Sequence, residues 1–428
     1  MTAPKFIEKR ETVMKAFRFG QLLAAGLLVS LSASAQNVAT NWNSITAKTI
    51  VQSGNKDFVA PGVWFAYVSI AVYDAVNAVH HHPFEPFYYT GSGPGGASDE
   101  AAAVAAAHRV LVHYFPAQQQ DLDSEFHTSL TAIVTDAAAK AHGVAVGEAA
   151  ADALISERAG DGLLADVPYT PGTGPGAWQP TPPLFLPPAT PWLGQMRPFT
   201  MKSAGQFLPV GPTALSSEEW ITNYNVTRLF GDANSSVRTP GETEIGLFWT
   251  ENAAQQYSRA FNYLSEYYRL DLLNSSRLLA VLWTGFADAG IACWNAKYTY
   301  SFWRPLTAIR AGGNNPELTA DNDWAPLSMT PNHPEYPAGH TCLAAVLSAL
   351  VERFFGTDKV HVTVDSLAFS DGVHTHTFDD TEDWVNEVYW ARIFAGAHFP
   401  RSLEDGETIG KDVAAQLFRN HFQRKKKD

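Results

Sequence analysis

Five charged or titratable residues in the second half of the chain could together bind and transform an anion. They are Lys297 and Arg304, which lie seven positions apart, followed by His340, Arg392 and His398. Three fixed cations suit a tetrahedral or trigonal-bipyramidal oxyanion, because arginine gives directed charge-assisted hydrogen bonds and lysine a compact point charge. One histidine could then act as an acid or base, while the other bonds directly to the central atom of the anion.

The local sequence indicates how these residues are positioned. Lys297 and Arg304 lie about two helical turns apart, so both could face one cavity, and Pro305 should break or kink the helix there. The segment 331–341 has three prolines and a glycine before a helical run, so the Gly339 N–H could help to hold an anion at a helix N-terminus. Taken singly, each residue also fits a structural role, as a solvated helix edge or a core or capping histidine. Their combination favours one oxyanion site.

Three motifs in this region resemble those of one known superfamily. The patterns Lys-x6-Arg-Pro, Pro-Ser-Gly-His and Ser-Arg-x5-His-x3-Asp are similar in order and spacing to Lys297 to Pro305, Pro337 to His340 and Ala391 to Ser402. They are the motifs of vanadium haloperoxidases and type 2 phosphatidic-acid phosphatases. Around them, Asp288 to Ala292, Trp294 to Lys297, Phe302 to Pro305 and Ala71 to Ala78 resemble the bacterial haloperoxidase-like branch. The resemblance therefore spans most of residues 60 to 415.

The resemblance implies a role for each residue of the site. The equatorial oxygens of vanadate would be bound by Lys297, Arg304, Arg392 and the Gly339 N–H. His398 would be the axial ligand of the vanadium, His340 the acid–base residue on the opposite face, and Lys297 would also polarise the bound peroxide. The implied reaction oxidises a halide with hydrogen peroxide to a hypohalous-acid equivalent, while the vanadium stays fully oxidised as a Lewis acid. Phosphate could occupy the same site, and the organic acceptor is left open.

Three positions depart from the family patterns. Ala338 stands where the family has serine, which removes a hydroxyl donor worth roughly 1.5–3 kcal/mol when it bonds a charged group. Ala391 replaces the serine before Arg392, which itself supplies the charge. Ser402 replaces an aspartate that orients the histidine when it serves as a phosphatase nucleophile. Because a neutral imidazole is enough to ligate a metal, this loss disfavours a phosphatase more than a haloperoxidase.

Two further residues bear on the halide. His333 lies seven positions before His340, where bromoperoxidases of the family carry histidine and chloroperoxidases phenylalanine. Trp294 resembles the chloroperoxidase pattern and also fits a structural role. The leading hypothesis is a vanadate-dependent haloperoxidase that favours bromide or iodide. The alternatives are a soluble exported acid phosphatase with His398 as nucleophile and an oxyanion-binding protein without turnover.

Helical spacing of apolar residues predicts the elements that hold this site. The predicted helices are 64–78, 100–114, 118–138, 144–158, 216–229, 242–272, 277–298, 341–355, 383–397 and 403–422. No strand-like alternation is sustained. The predicted fold is an all-α helical bundle, as two packed four-helix-type bundles with long Pro/Gly-rich connecting loops. The loop 162–212 is rich in aromatics and either covers a pocket or simply connects the bundles.

Composition and the N-terminal sequence predict an exported globular enzyme. The 428 residues are 46% hydrophobic and 17% charged, which is typical of a chain with a large core. A basic region, an apolar run and the small-residue site Ala33-Ser34-Ala35 predict a signal peptide over residues 1–35, with 1–13 as an upstream extension. Residues 36–428 would form a single all-α domain, periplasmic or secreted, with its catalytic motifs within 294–404.

The charge balance bears on partners. Loss of the five basic and two acidic residues of positions 1–35 would change the net charge from −13 to −16, which argues against nucleic-acid binding. No later stretch is predicted to span a bilayer, although 62–80 comes closest. Cys293 and Cys342 fit either buried thiols or one bridge near the site. Hydrogen peroxide and a halide are the expected partners, and a homo-oligomer is compatible with the sequence.

Overall fold

Helices make up most of the folded chain. The computed structural model describes residues 37–54 and 58–425, and the predicted signal segment 1–35 lies outside them. The helices are α1 (Val38–Gln52), α2 (Pro61–Val79), α3 (Asp99–Tyr114), α4 (Gln119–Ala132), α5 (Ala137–Arg158), α6 (Glu218–Gly231), α7 (Pro240–Phe248), α8 (Ala253–Tyr267), α9 (Leu272–Tyr300), α10 (Pro305–Arg310), α11 (Gly339–Phe355), α12 (Thr381–Phe394) and α13 (Pro400–Asn420). The predicted all-α class is confirmed.

One feature that the sequence pattern did not predict is a small antiparallel hairpin between α11 and α12. Its strands are β1 (Val362–Ser366) and β2 (His374–Phe378), paired from Val362 with Phe378 to Ser366 with His374. Each strand has five residues, too few for a sustained alternation to stand out. The expectation that the chain has no strands is therefore wrong at this place.

The described residues divide into two compact units. The first unit comprises 162–253 and 288–414, and the second comprises 37–54, 58–161, 254–287 and 415–425. In the second unit, the alanine-rich α3 packs against α2 and α5. A Cβ atom on Gly143 or Gly147 of α5 would lie 2.2 Å from a backbone oxygen of α3 or its N-cap, so glycine is required at this helix crossing.

The first unit contains every residue of the predicted oxyanion site. Within it, α12 packs against α6, α7 and α11. A mostly aromatic core cluster includes Trp220, Tyr224, Phe302, Trp303, Leu306, Trp324 and Phe399. Because two of these residues directly precede Arg304 and Phe399 directly follows His398, the cluster anchors the backbone at both positions.

Two glycines of α13 allow it to cross close to the first turns of α11. A Cβ atom on Gly406 would lie 2.6 Å from the Ala338 carbonyl oxygen, and one on Gly410 would lie 2.4 Å from that of Cys342. Real Cβ atoms do not approach this closely, so the crossing depends on glycine at both positions. This crossing sets the place of the helix start at Gly339.

Several predicted helices have other boundaries, and two helices, α1 and α10, were not predicted. The helix predicted over 242–272 is two helices, since α7 ends at Phe248 and α8 begins at Ala253. The helix predicted over 118–138 ends at Ala132. The unpredicted α1 is rich in polar residues of low helix propensity, but several of their hydroxyls donate to carbonyls one turn earlier, as Thr46 does to Trp42 at 2.7 Å.

Two helices in the described chain, α2 and α9, are long and apolar enough to cross a membrane. In each, 94% of the apolar window is buried inside the protein. Core helices of globular proteins are buried in the same way. The predicted absence of a membrane span stays a prediction.

The α11–α13 crossing can be tested by Gly410→Ala. The added methyl group would meet the Cys342 carbonyl and is expected to lower the free energy of unfolding by about 1–3 kcal/mol, measured by urea denaturation. Thr408→Ala, on the exposed face of the same helix, should change it by less than about 0.5 kcal/mol. Alanine has the higher helix propensity, so Gly410→Ala would stabilise the protein if the added methyl group met no steric conflict. A stabilised variant would therefore show that the crossing does not require glycine.

Candidate active site

Lys297 and Arg304 reach the same loop, but not by the helical spacing that the sequence suggested. Helix α9 ends at Tyr300, Ser301 has a φ of 47°, and Arg304 is the N-cap of α10. The prediction that both cations lie on one helix is therefore wrong. The predicted helix break at Pro305 is confirmed, since this proline begins α10, where its missing N–H costs nothing.

Lys297 is fully buried and holds the loop that precedes α11. Its ammonium group donates to the carbonyl oxygens of Pro334 at 3.0 Å and Glu335 at 2.9 Å, and also to that of Pro337. These three acceptors use all three of its donors. Burial, and then the charge of nearby Arg304, lower the pKa of Lys297 to about 8. In this structure the lysine therefore acts on the site through its positive charge and has no free N–H donor.

Arg304 ties together the segments that carry the two flanking histidines. Its Nε donates to the His333 carbonyl and its Nη1 to the Ala397 carbonyl, both at 2.9 Å. Nη1 also lies 3.4 Å from His398 Nε2, and Nη2 lies 3.0 Å from His333 Nδ1. Burial lowers the pKa of this arginine to about 10, so it remains charged at neutral pH.

His398 has a carboxylate partner that sequence analysis did not identify. Its Nδ1 donates to Glu335 Oε1 at 2.9 Å, and the same oxygen accepts the Phe399 N–H at 3.0 Å. Burial, and then the charges of Arg304 and other nearby cations, lower the pKa of His398 well below its ordinary value. The pair is therefore a hydrogen bond from a neutral imidazole. This bond fixes the tautomer and leaves the Nε2 lone pair on the side of Arg304.

The structure also changes what the departure at Ser402 means. The Ser402 carbonyl accepts the Ala338 N–H at 2.9 Å, so this residue supports the loop. Glu335 supplies the carboxylate that the family pattern places at position 402. The loss at position 402 therefore counts less against a phosphatase than the sequence suggested, because Glu335 orients His398. The glutamate lies 63 residues before the histidine, and no periodicity or spacing relates the two.

His340 and Arg392 meet at one backbone carbonyl. Trp249, which follows α7, accepts from His340 Nε2 at 3.0 Å and from Arg392 Nη1 at 3.2 Å. A carbonyl only accepts, so His340 Nε2 carries a proton. Burial and the Arg392 charge lower the pKa of His340 well below its ordinary value, and the imidazole is neutral at neutral pH.

Arg392 is the least compensated cation of the three. It is 2% exposed, and its Nε has no hydrogen-bond partner. Burial, and then Arg304, lower its pKa to about 9. Among the described residues, no carboxylate forms a salt bridge with Lys297, Arg304 or Arg392. A buried cation with an unused donor is costly unless an anion joins it.

The chemistry of the site fits an oxyanion and not a bare metal ion. Three buried cations surround the neutral His398, and one buried carboxylate, Glu335, lies beside them. Within the described ranges, no group of three or more His, Cys, Asp or Glu side chains could hold a metal ion. A metal would therefore be held here as an oxyanion, by guanidinium groups and one imidazole.

Helix α11 begins at Gly339 without a side-chain cap, because its N-cap is Ala338. The serine of the family pattern is thus absent both as a cap and as a donor to an anion. The backbone donors of this first turn remain.

Cys293 and Cys342 are both buried free thiols, and Cys293 lies 3.7 Å from the Pro337 carbonyl oxygen.

His333 and Trp294 form a wall beside the cations. Their ring centroids are 4.9 Å apart, and Lys297 Nζ lies 5.6 Å from the Trp294 ring centroid. The Trp294 indole donates to Thr190 Oγ1 at 3.0 Å, and the Ala189 N–H donates to the Asn332 carbonyl at 2.8 Å. The loop 162–212 therefore packs over this wall, which favours the covering loop over a plain connection.

Comparison with known proteins gives the same family as the motifs. Residues 277–426 match the family model described as the VCPO second helical-bundle domain. Over these residues the match bears out the resemblance that the motifs indicated. The vanadium chloroperoxidase of Curvularia inaequalis is 29% identical over an alignment that covers 28% of this chain and 24% of that protein. The match therefore spans about a quarter of the length of this relative.

Solved structures of haloperoxidases have a similar fold. A bacterial vanadium-dependent iodoperoxidase superposes with a TM-score of 0.78 at 20% identity, covering 91% of this chain and 98% of that one. The apo-type bacterial vanadium-dependent chloroperoxidase gives a TM-score of 0.67 at 19% identity, covering 85% of this chain and 94% of that one. At these identities the likeness concerns the fold.

Arg392→Met tests whether the uncompensated charge is costly. Removing it should raise the free energy of unfolding of the ligand-free protein by about 1–4 kcal/mol and abolish stabilisation by added phosphate, both measured by urea denaturation. The matched control is Arg238→Met, because Arg238 donates to four backbone carbonyls and its loss should destabilise the protein. An Arg392→Met variant as unstable as Arg238→Met would contradict this account.

The pKa of Lys297 predicts how anion affinity depends on pH. With a pKa of about 8 in the ligand-free protein, Lys297 is charged below that pH and loses its charge above it. The affinity for sulfate, which stays a dianion throughout, should therefore fall by up to about tenfold per pH unit above pH 8, measured by calorimetry. Lys297→Met should lack this decline until Arg392, with a pKa of about 9, loses its proton. A wild-type affinity that is constant from about pH 7 to 9 would refute the prediction.

Proposed function

We propose that this chain is a vanadate-dependent haloperoxidase that oxidises a halide with hydrogen peroxide to a hypohalous-acid equivalent. The observation that carries the proposal is the uncompensated buried charge of Arg392 beside a neutral His398 whose tautomer is fixed by Glu335. Such a site calls for an anion whose central atom accepts a nitrogen ligand. The family match and the relatives named as vanadium enzymes support vanadate as that anion.

Each residue of the cage has a part that follows from its contacts. Arg392 and Arg304 would hold the oxygens of vanadate, helped by the Gly339 N–H, and His398 Nε2 would ligate the vanadium. Lys297 would keep the loop in place and add positive charge. When bound, vanadate supplies Lewis-acid activation of hydrogen peroxide without a change in its oxidation state. Such preorganised charges cost no reorganisation during the reaction.

His340 is the proposed acid–base residue. Its depressed pKa keeps it neutral, so it can take a proton from hydrogen peroxide. The charge of Arg392 opposes the charged form, which favours return of that proton to a leaving oxygen. The Trp249 carbonyl fixes the orientation of the ring. His340 is also only partly buried, whereas His398 is fully buried, so solvent and peroxide reach it more readily.

We further propose that bromide or iodide is the preferred halide. Two facts support this choice: the polar His333 lies beside Arg304, and a solved structure with a similar fold is an iodoperoxidase. Bromide and iodide are also easier to oxidise than chloride. The buried Trp294 packs on His333 and hydrogen-bonds Thr190, which supports a structural role for this tryptophan.

Phosphatase activity is the second candidate, and one contact favours it. The Glu335–His398 hydrogen bond at 2.9 Å is the carboxylate–imidazole pair that a nucleophilic histidine requires. In that case His398 Nε2 would attack the phosphorus of a monoanionic monoester, and His340 would take the proton of the ester's own hydroxyl and pass it to the leaving alkoxide. The two activities share one pocket and differ in the anion that occupies it.

The deciding experiment assays halogenation of a dione reporter with hydrogen peroxide and bromide or iodide, before and after vanadate loading. Activity should require vanadate and be lost in His398→Ala. Glu335→Gln should lower it by about 10- to 100-fold, because the second hydrogen bond of a ligating histidine fixes its tautomer. His80→Ala, at a half-exposed histidine of the second unit, should leave it unchanged.

A parallel assay of phosphate-ester hydrolysis separates the alternatives. If the protein does not halogenate but hydrolyses the ester, and a phosphohistidine is trapped at position 398, the protein is a phosphatase and the haloperoxidase proposal is rejected. Silence in both assays, with phosphate still bound, would leave an oxyanion-binding protein without turnover.

A further inference from the structure

A buried ionic network lies behind Trp249, outside the proposed chemistry. The Trp249 indole N–H donates to Glu387 Oε1 at 3.0 Å, and the same oxygen is 2.6 Å from His376 Nδ1. The other ring nitrogen of His376 lies 3.2 Å from Glu244 Oε2. The His376 and Glu387 side chains are only 10% and 7% exposed. The network therefore joins α7, β2 and α12 within the first unit.

The central histidine of this network is charged. Burial by itself lowers the pKa of His376, but Glu387 and Glu244 outweigh it and raise the pKa to about 10. Both ring nitrogens are then donors, as two carboxylate partners require. The ring also stacks on Phe248, with centroids 3.8 Å apart. On the outer side, His374 pairs with Glu244 at 2.9 Å and with Asp371 at 3.1 Å.

Trp249 connects this network to the anion site, since its two ends have different partners. Its indole donates to Glu387, while its carbonyl accepts from His340 and Arg392. Glu387 and Arg392 lie on the same helix, α12. One rigid helix therefore carries both the anchor of the indole and a cation that the carbonyl holds.

The hairpin fixes the same short segment from another direction. Ser366 at the end of β1 donates its hydroxyl to the Phe248 carbonyl at 2.8 Å. The Leu367 N–H donates to Glu251 Oε2, also at 2.8 Å. The residues on both sides of Trp249 are thus held by side-chain and backbone bonds in addition to the indole bond.

A buried ionic network of this kind is not explained by stability alone. Well-packed apolar side chains of similar volume often give equal or higher stability than buried charges. What the charges provide is direction, because each carboxylate oxygen accepts from a defined donor. That property is useful where one carbonyl must stay in place for two functional groups.

We propose that Glu387, His376 and Glu244 are positioning residues of the anion site. They hold the Trp249 indole, and through it the carbonyl that orients His340 and Arg392. This inference rests on the oxyanion site of the proposed function. It does not depend on which reaction that site performs.

The test compares Trp249→Phe with Trp42→Phe in the full chain without vanadate. Both tryptophans are 1% exposed, and both substitutions remove one indole hydrogen bond, to Glu387 or, in the second unit, to the Ser129 hydroxyl at 3.2 Å. The probe is inorganic phosphate, with its dissociation constant measured by calorimetry. Trp249→Phe should weaken binding about 10-fold, whereas Trp42→Phe should change it by less than about twofold. Equal losses in the two variants, or none in either, would overturn the proposal.

A second readout follows the orientation of His340 directly. Its ring ¹⁵N shifts, assigned by their absence in His340→Asn, should report the Nε2–H tautomer in the wild type and a mixture in Trp249→Phe. Glu387→Gln keeps the shape and an acceptor oxygen but removes the charge, so it should weaken phosphate binding less than Trp249→Phe. A His340 signal that is identical in the wild type, Trp249→Phe and Glu387→Gln would also overturn the proposal.

These outcomes separate the inference from the proposed function. A wild-type chain that binds phosphate but never halogenates removes the haloperoxidase assignment, while the tryptophan comparison still decides the positioning role. If the wild type halogenates and Trp249→Phe binds phosphate as tightly as the wild type does, the haloperoxidase assignment stands and the positioning role is rejected.

Discussion

The burial of three cations beside a single carboxylate is the constraint on which the site depends. Lys297, Arg304 and Arg392 are each at most 2% exposed, and water cannot solvate them. Taking a charge out of water is costly, and attraction to Glu335 alone cannot offset three such charges. Hydrogen bonds from the cations to backbone carbonyl oxygens offset part of this desolvation free energy. Segments around positions 249, 333–337 and 397 turn their carbonyls inward, and the surrounding helices hold those segments in place.

This arrangement separates charge from direction. Carbonyl groups fix where each cation lies. Because they carry no net charge, they leave the positive charge of the site in place, whereas a carboxylate would neutralise it. Lys297 is saturated by three carbonyls, whereas Arg392 keeps a donor without a partner. Lys297 therefore supports the loop, whereas Arg392 has a donor that an anion could use. His398 and His340 stay neutral among these charges, so each nitrogen lone pair or proton is set by its partner, Glu335 or the Trp249 carbonyl.

Sequence reasoning found what side-chain type and spacing reveal. The three motifs gave every cation and both histidines, and helical periodicity gave most helices, because these signals are local. The partner of His398 was missed because Glu335 is distant in sequence and stands in a turn-like Pro-Glu-Tyr-Pro stretch. Trp249 was missed because it acts through its backbone carbonyl, which every residue type has. The break between α7 and α8 was also missed, because the helical spacing of apolar residues was taken as continuous from 242 to 272.

The three carbonyl bonds of Lys297 also affect how a ligand enters. A loop that must fold around its ligand binds slowly and loses conformational entropy at that moment. Here three hydrogen bonds from Lys297 hold the backbone from Pro334 to Pro337 in place. An oxyanion therefore binds to a loop that is already in position. Its association rate should be governed by access past His340 and not by rearrangement of the loop. An anion can therefore bind and leave while the backbone of this loop keeps its position.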